Sequence, residues 1–290
     1  MRLCFVLLPD AQQLTPRKLE LAAKQEFPEL GKATWKKSKE GTSEFTLGGV
    51  PVITALMPVP VPEGEADEAT DRSLSGLDGS WTLPEHRAHL VVVRQGPESN
   101  KVEELAAFTR VVAVIVRATG AVGVYWGEGG ATHHPEFVMN IAQSELPLPI
   151  WVGLSVAKTK KGFELLSIGM AQLGLPNLLL RAPDLGGPTL EFFYDLLAYA
   201  ARRGSAFAEG ETVGRDEHER LPVTHEKSPV VANEQVWAVT IGKSAAVKVK
   251  KPAAVKAKKP AAPKAKKKAA APAPAKKAPA KKQVAAKKKR

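Results

Sequence analysis

The chain opens on a six-residue apolar run, Leu3–Leu8, that stops at Pro9-Asp10, the length of a buried strand. Thr15-Pro16 then supplies an N-cap and a first helical residue, and Leu19, Ala22, Ala23 and Phe27 form a helical stripe that Pro28 ends. Three strands follow, Ala33–Lys39, Glu44–Leu47 and Val50–Met57, with Gly41 and Gly48-Gly49 at their turns. Pro58–Leu83 is polar and aperiodic and reads as a long loop or a bridge between two halves, with a surface helix over Glu65–Ser73. His89–Arg94 is a strand. Asn100 and Glu103 then make a capping box for a helix running to about Ala118 and closed by Gly120. Its inner run Val111–Val116 is β-branched, yet the segment's length and its two caps favour helix.

The second half reads as a strand at Ala121–Trp126 and a helix from Pro135 to about Gln143. Strands follow at Ile150–Ala157, Gly162–Ile168 and Asn177–Arg181. The clearest helix is Thr189–Arg203, with Leu190, Phe193, Leu197 and Ala200 inward, two arginines in its last turn and Gly204 after it. Residues 205–233 read as polar loop, and alternating Trp237, Val239 and Ile241 as a last strand. The expected fold is α+β, a mixed, mostly antiparallel sheet with packed helices over residues 1–242, followed by a disordered C-terminal tail, 243–290.

Composition sharpens that boundary. The 290 residues carry +12, but residues 243–290 hold eighteen Lys and one Arg with no acid, while residues 1–242 hold 23 basic and 30 acidic side chains, net −7. An acidic body carries a strongly basic arm. The arm is almost wholly Lys, Ala, Pro and Val. It cannot bury enough apolar surface to offset roughly 1–2 kcal/mol of ordering cost per residue, and its prolines interrupt every helical stretch.

Several chemistries fall away. The longest apolar runs are too short to span a bilayer, and the first residues do not read as a signal peptide. A single cysteine, Cys4, excludes an internal disulfide framework and a cysteine-built zinc site, and fits a cytoplasmic protein. There is no Gly-x-Ser-x-Gly elbow, and Ser155 and Ser167 have no base near them in sequence.

Four segments, in order, carry a resemblance: Val124-Tyr125-Trp126-Gly127, Pro149-Ile150-Trp151-Val152-Gly153, Ser167-Ile168-Gly169-Met170-Ala171-Gln172-Leu173-Gly174-Leu175-Pro176-Asn177 and Gly210-Glu211-Thr212-Val213-Gly214. Together they resemble the bacterial family called domain of unknown function 4261, over about residues 1–242. That family implies a domain boundary and no mechanism. The arm resembles the C-terminal arm of linker histones.

The candidate ligand site is Gly127-Glu128-Gly129-Gly130-Ala131-Thr132-His133-His134, read as a turn between a strand and a helix, where backbone N–H groups can cradle a phosphate. It is not a P-loop, and Glu128 would repel a phosphate. Trp126, Gly127, Gly129, Gly130 and Trp151 are the ligand-binding candidates, with Gly210–Gly214 beside them; the plainer reading makes the glycines a wide turn and the tryptophans packing. His133 and His134 read as cap and surface residues, since neighbouring side chains diverge and no metal spacing accompanies them. His218 and His225 read as solvated. No metal, cofactor or catalytic residue is expected.

The nucleic-acid candidates are Lys248, Lys250, Lys251, Lys256, Lys258, Lys259, Lys264, Lys266, Lys267, Lys268, Lys276, Lys277, Lys281, Lys282, Lys287, Lys288, Lys289 and Arg290. Each Lys that neutralises a phosphate releases a counterion, which drives sequence-independent affinity. The arm lacks aromatic stacking platforms and, apart from Arg290, arginine base readers. The resulting expectation is a non-enzymatic binding module tethered to DNA or another polyanion, cytoplasmic or nucleoid-associated, with an unidentified protein as a further partner. The alternative is an enzyme with its site near residues 127–134 and an accessory arm.

Overall fold

Alternating apolar positions in the first half build a seven-stranded, wholly antiparallel sheet: β1 (Arg2–Leu8), β2 (Thr34–Trp35), β3 (Thr42–Leu47), β4 (Val50–Met57), β5 (Ala88–Arg94), β6 (Gly123–Trp126) and β7 (Ala131–His133), in the order β2-β3-β4-β5-β1-β6-β7. A six-stranded sheet follows from β8 (Gly153–Thr159), β9 (Gly162–Ile168), β10 (Leu178–Ala182), β11 (Thr212–Val213), β12 (Leu221–Lys227) and β13 (Gln235–Thr240), in the order β11-β12-β13-β10-β9-β8. Only β10 and β13 pair in parallel there. Among the described residues six helices accompany the sheets: α1 (Pro16–Glu26), α2 (Glu65–Glu68), α3 (Lys101–Thr119), α4 (Pro135–Ile141), α5 (Leu148–Trp151) and α6 (Gly187–Arg203). This computed structural model describes residues 2–36, 41–62, 64–96 and 101–242. The α+β class and the mostly antiparallel pairing are those expected, but the strands divide between two sheets. The basic arm and the Asn100 cap lie outside the described residues.

The core is organised around α3. Val111, Val112, Ala113, Val114 and Ile115 are fully buried, so this inner stretch of the helix is enclosed on every side, while Lys101, Glu103 and Arg117 near its ends are exposed. That explains a β-branched run in a helix: packing outweighs a propensity deficit of a few tenths of a kcal/mol per residue. Local turn chemistry is equally direct. Leu47 pairs with Val50, and the two residues between them, Gly48 and Gly49, have φ of 58° and 77°, the left-handed pair that a two-residue hairpin demands.

Three segments differ from expectation. Ile150 and Trp151 belong to the helical turn α5, and the strand begins only at Gly153. Both side chains are fully buried in the main core, and the Val152 N–H closes the turn on the Leu148 carbonyl at 2.8 Å. Residues 205–233 hold β11 and β12. β12 buries only Val223, so it has no apolar signature and exists because its backbone pairs with β13. Glu65–Ser73 is the short α2 followed by a 3-10 turn, Ala69–Arg72; Ala66 and Ala69 are fully buried, and Ala66 clusters with Leu7 and Val61 as a small second core.

Candidate functional site

The Gly-rich segment is the turn of a β-hairpin. Trp126 pairs with Ala131 and Val124 with His133, and the Gly130 N–H closes the turn on the Gly127 carbonyl at 3.1 Å. The segment therefore leads into β7 and not directly into a helix, which corrects the placement expected of a phosphate cradle. The next helix, α4, is capped by His134, whose Nδ1 accepts the Glu136 N–H at 3.1 Å.

This turn meets two other glycines. A Cβ on Gly129 would lie 2.6 Å from the Trp151 carbonyl, and one on Gly153 only 2.2 Å from the Gly129 carbonyl. Gly169, at φ 106°, would bring a Cβ within 2.9 Å of both the Glu128 carbonyl and the Gly129 Cα. Three backbones thus approach at distances that only glycine allows. The hairpin of the first sheet is locked against the start of β8 and the end of β9 in the second. Gly130 is held from its other side by Arg72, whose Nη1 donates to its carbonyl at 2.7 Å.

The two tryptophans sit beneath this junction with no exposure. Trp126 Nε1 donates to Gln172 Oε1 at 3.1 Å and Trp151 Nε1 to Thr109 Oγ1 at 2.8 Å. Gln172, itself buried, donates through Nε2 to the Trp151 and Gly169 carbonyls at 2.7 and 2.8 Å, and its backbone carbonyl accepts Arg2 Nη2 at 2.7 Å. One amide therefore ties β6, α5 and the end of β9 together. Sequence reading missed Gln172, Gly153 and Gly169 as a unit, although all three stand inside the motif segments quoted above. Gly210–Gly214 is not brought to this place: it flanks β11, at the opposite edge of the second sheet from β8.

His133 corrects a second expectation. It is fully buried, not on the surface. Its Nε2 lies 3.0 Å from the Ile150 carbonyl, which can only accept, so the proton is on Nε2. Nδ1 then accepts from Ser73 Oγ at 2.7 Å, and Ser73 Oγ accepts from Ser75 Oγ at 2.7 Å. Both serines come from the polar segment after α2, so the network pins that segment to β7. Burial lowers the imidazole pKa to about 4, only partly opposed by the Ile150 hydrogen bond. The folded pKa lies below the unfolded value, so this contribution to stability is complete above pH 6.5 and is lost as pH falls toward 4. The stability advantage of the parent over His133→Gln should narrow below pH 6.5 by up to about 1.4 kcal/mol per pH unit. Urea unfolding of both chains at about pH 7 and about pH 5 measures it; a gap that stays constant would mean that the ring is not held neutral.

The remaining candidates have structural surroundings. Cys4 is fully buried and burial pushes its thiol well above the ordinary range. Ser167 Oγ accepts the Leu178 N–H at 2.7 Å inside the second sheet. His225 and His218 are exposed, as expected, and His225 Nε2 donates to the Phe207 carbonyl at 2.9 Å. Among the described residues no three His, Cys, Asp or Glu side chains gather to hold a metal, and no helix is long and apolar enough to cross a membrane. The lysines from Lys248 onward and Arg290 lie outside the described residues. Neither a family model, nor a curated protein, nor a solved structure matches this chain.

Proposed function

We propose that the protein is a non-enzymatic binding module whose basic arm, Lys248–Arg290, attaches it without sequence preference to double-stranded DNA or other polyanions, in the cytoplasm and at the nucleoid. The observation that carries this reading is the partition of charge: +19 on 48 residues joined to a body of −7. Nineteen cations on a chain without acids meet phosphate backbones favourably by counterion release alone. The body supports the reading from the other side. Both candidate indoles are buried and donate internally, and the Gly-rich turn is filled by backbone from Trp151, Gly153 and Gly169. That arrangement fits a packing junction better than a substrate cleft. The resemblance of the body to the bacterial family called domain of unknown function 4261 rests on the four motif segments of the sequence alone. The deciding comparison is duplex binding by the full chain and by residues 1–242. Loss of binding with the arm is the expected result; affinity retained by residues 1–242 would refute the assignment.

A further inference from the structure

The body is acidic as a whole, but not at the end of the β8–β9 hairpin. β8 and β9 are joined by the two-residue turn Lys160-Lys161, between the paired residues Thr159 and Gly162. The turn is braced: the Lys161 N–H donates to Thr159 Oγ1 and Thr159 Oγ1 to the Gly162 carbonyl, both at 3.2 Å. Gly162, at φ 137°, lies so close to the end of β10 that a Cβ there would sit 2.1 Å from the Ala182 carbonyl. The hairpin end is thus pinned to the second sheet and presents Lys158, Lys160 and Lys161 to solvent, all three exposed. None of the three is in an ion pair among the described residues.

Glu164 and Glu226, beside the hairpin, are already engaged. Arg181 donates through Nε to Glu164 at 2.9 Å and through Nη1 and Nη2 to both oxygens of Glu226 at 2.9 and 2.8 Å. That group carries a net −1 against the +3 of the hairpin lysines. A groove of about 380 Å³ runs between the hairpin and the last strand, lined by Lys160, Lys161, Phe163, Arg181, Thr240 and Ile241 among others. The Ile241 N–H donates to the Arg181 carbonyl at 2.7 Å, which anchors the last described residues to β10. Gly242 and Lys243 follow directly in sequence.

We propose that the Lys158–Lys161 hairpin is a second phosphate-contact surface for double-stranded nucleic acid, in addition to the arm. The proposal rests on the arm reading above. A duplex held by the arm meets a body of −7 and is repelled by most of its surface. At the hairpin it meets the ammonium groups of Lys158, Lys160 and Lys161 instead. Covalent tethering raises the effective concentration of the duplex beside the hairpin to the millimolar range, where two or three weak contacts register.

The test uses the full chain throughout. Its salt dependence on a random duplex is compared with that of Lys160→Ala/Lys161→Ala and of a control, Lys18→Ala/Lys24→Ala, on the exposed face of α1. Two lost phosphate contacts should make the slope of log K against log salt shallower by about 1.8, with the control unchanged. In the unsubstituted chain, duplex should slow acetylation of Lys160 and Lys161 several-fold and leave Lys18 untouched. A parent-like slope with unprotected hairpin amines overturns this proposal and leaves the arm reading standing. Absence of salt-dependent duplex binding by the full chain overturns both. Loss of binding to anionic phosphatidylserine vesicles, with duplex binding unchanged, would assign the surface to membranes and overturn it as well.

Discussion

Raising salt from roughly 50 to 200 mM should weaken binding of the full chain to duplex DNA by about five orders of magnitude, a slope near −9. That figure follows if about ten arm lysines engage phosphates at once. A 48-residue chain reaches about 160 Å at roughly 3.3 Å per residue, and about 40 Å as a coil, so several turns of backbone lie within range. The body works against this binding. At −7 it repels DNA and attracts the arm, so a peptide of residues 243–290 should bind tighter than the full chain at low salt. The gap should close as the Debye length shrinks to about 10 Å near 0.1 M. Residues 1–242 should not bind and should elute early from a cation exchanger. Fluorescence anisotropy of the three species on random and defined duplexes reads all of this. A marked preference for one duplex sequence, or a slope shallower than about −3, would mean that something other than counterion release holds the complex.

Replacing Gln172 by Leu should destabilise the body by on the order of 3 kcal/mol with little change in side-chain volume. The substitution removes the acceptor of the Trp126 indole N–H and the side-chain donor to the Trp151 carbonyl, both buried. A buried group left unpaired costs roughly 1–3 kcal/mol, and members of one network do not add independently. Adding Trp126→Phe removes the stranded N–H, so the double variant should lose less than the sum of the two single changes, by about 1 kcal/mol. Urea denaturation of the four proteins supplies the cycle. A Gln172→Leu chain that unfolds at the parental midpoint would show that the Gln172 network contributes nothing to the stability of the body.

The elements that hydrophobic period and turn chemistry specify are legible in the sequence. α1 follows from Thr15-Pro16 and its Leu19–Ala22–Ala23 stripe, and the β3–β4 turn from Gly48-Gly49. The α6 helix follows from Gly187-Pro188 at one end and Gly204 at the other. α3 was legible as a helix despite its valines, because a 19-residue segment closed by Gly120 is too long for an ordinary strand. These are local facts: each depends on residues within a few positions of one another.

The division of charge between body and arm is also a property of the sequence alone, and no fold changes it. What only the tertiary structure decided is which surfaces meet. Period identifies a buried face but not its neighbour, so two sheets were indistinguishable from one. β12 carries almost no apolar signal and is a strand through its pairing with β13. His133 reads as polar beside His134, and is buried because Ser73, 60 positions earlier, and Ile150, 17 positions later, satisfy both ring nitrogens. The Gly-rich turn has the composition of a phosphate cradle. Its role was set by Gly153 and Gly169 arriving from other strands, where steric exclusion of any Cβ lets three backbones close the space a ligand would need.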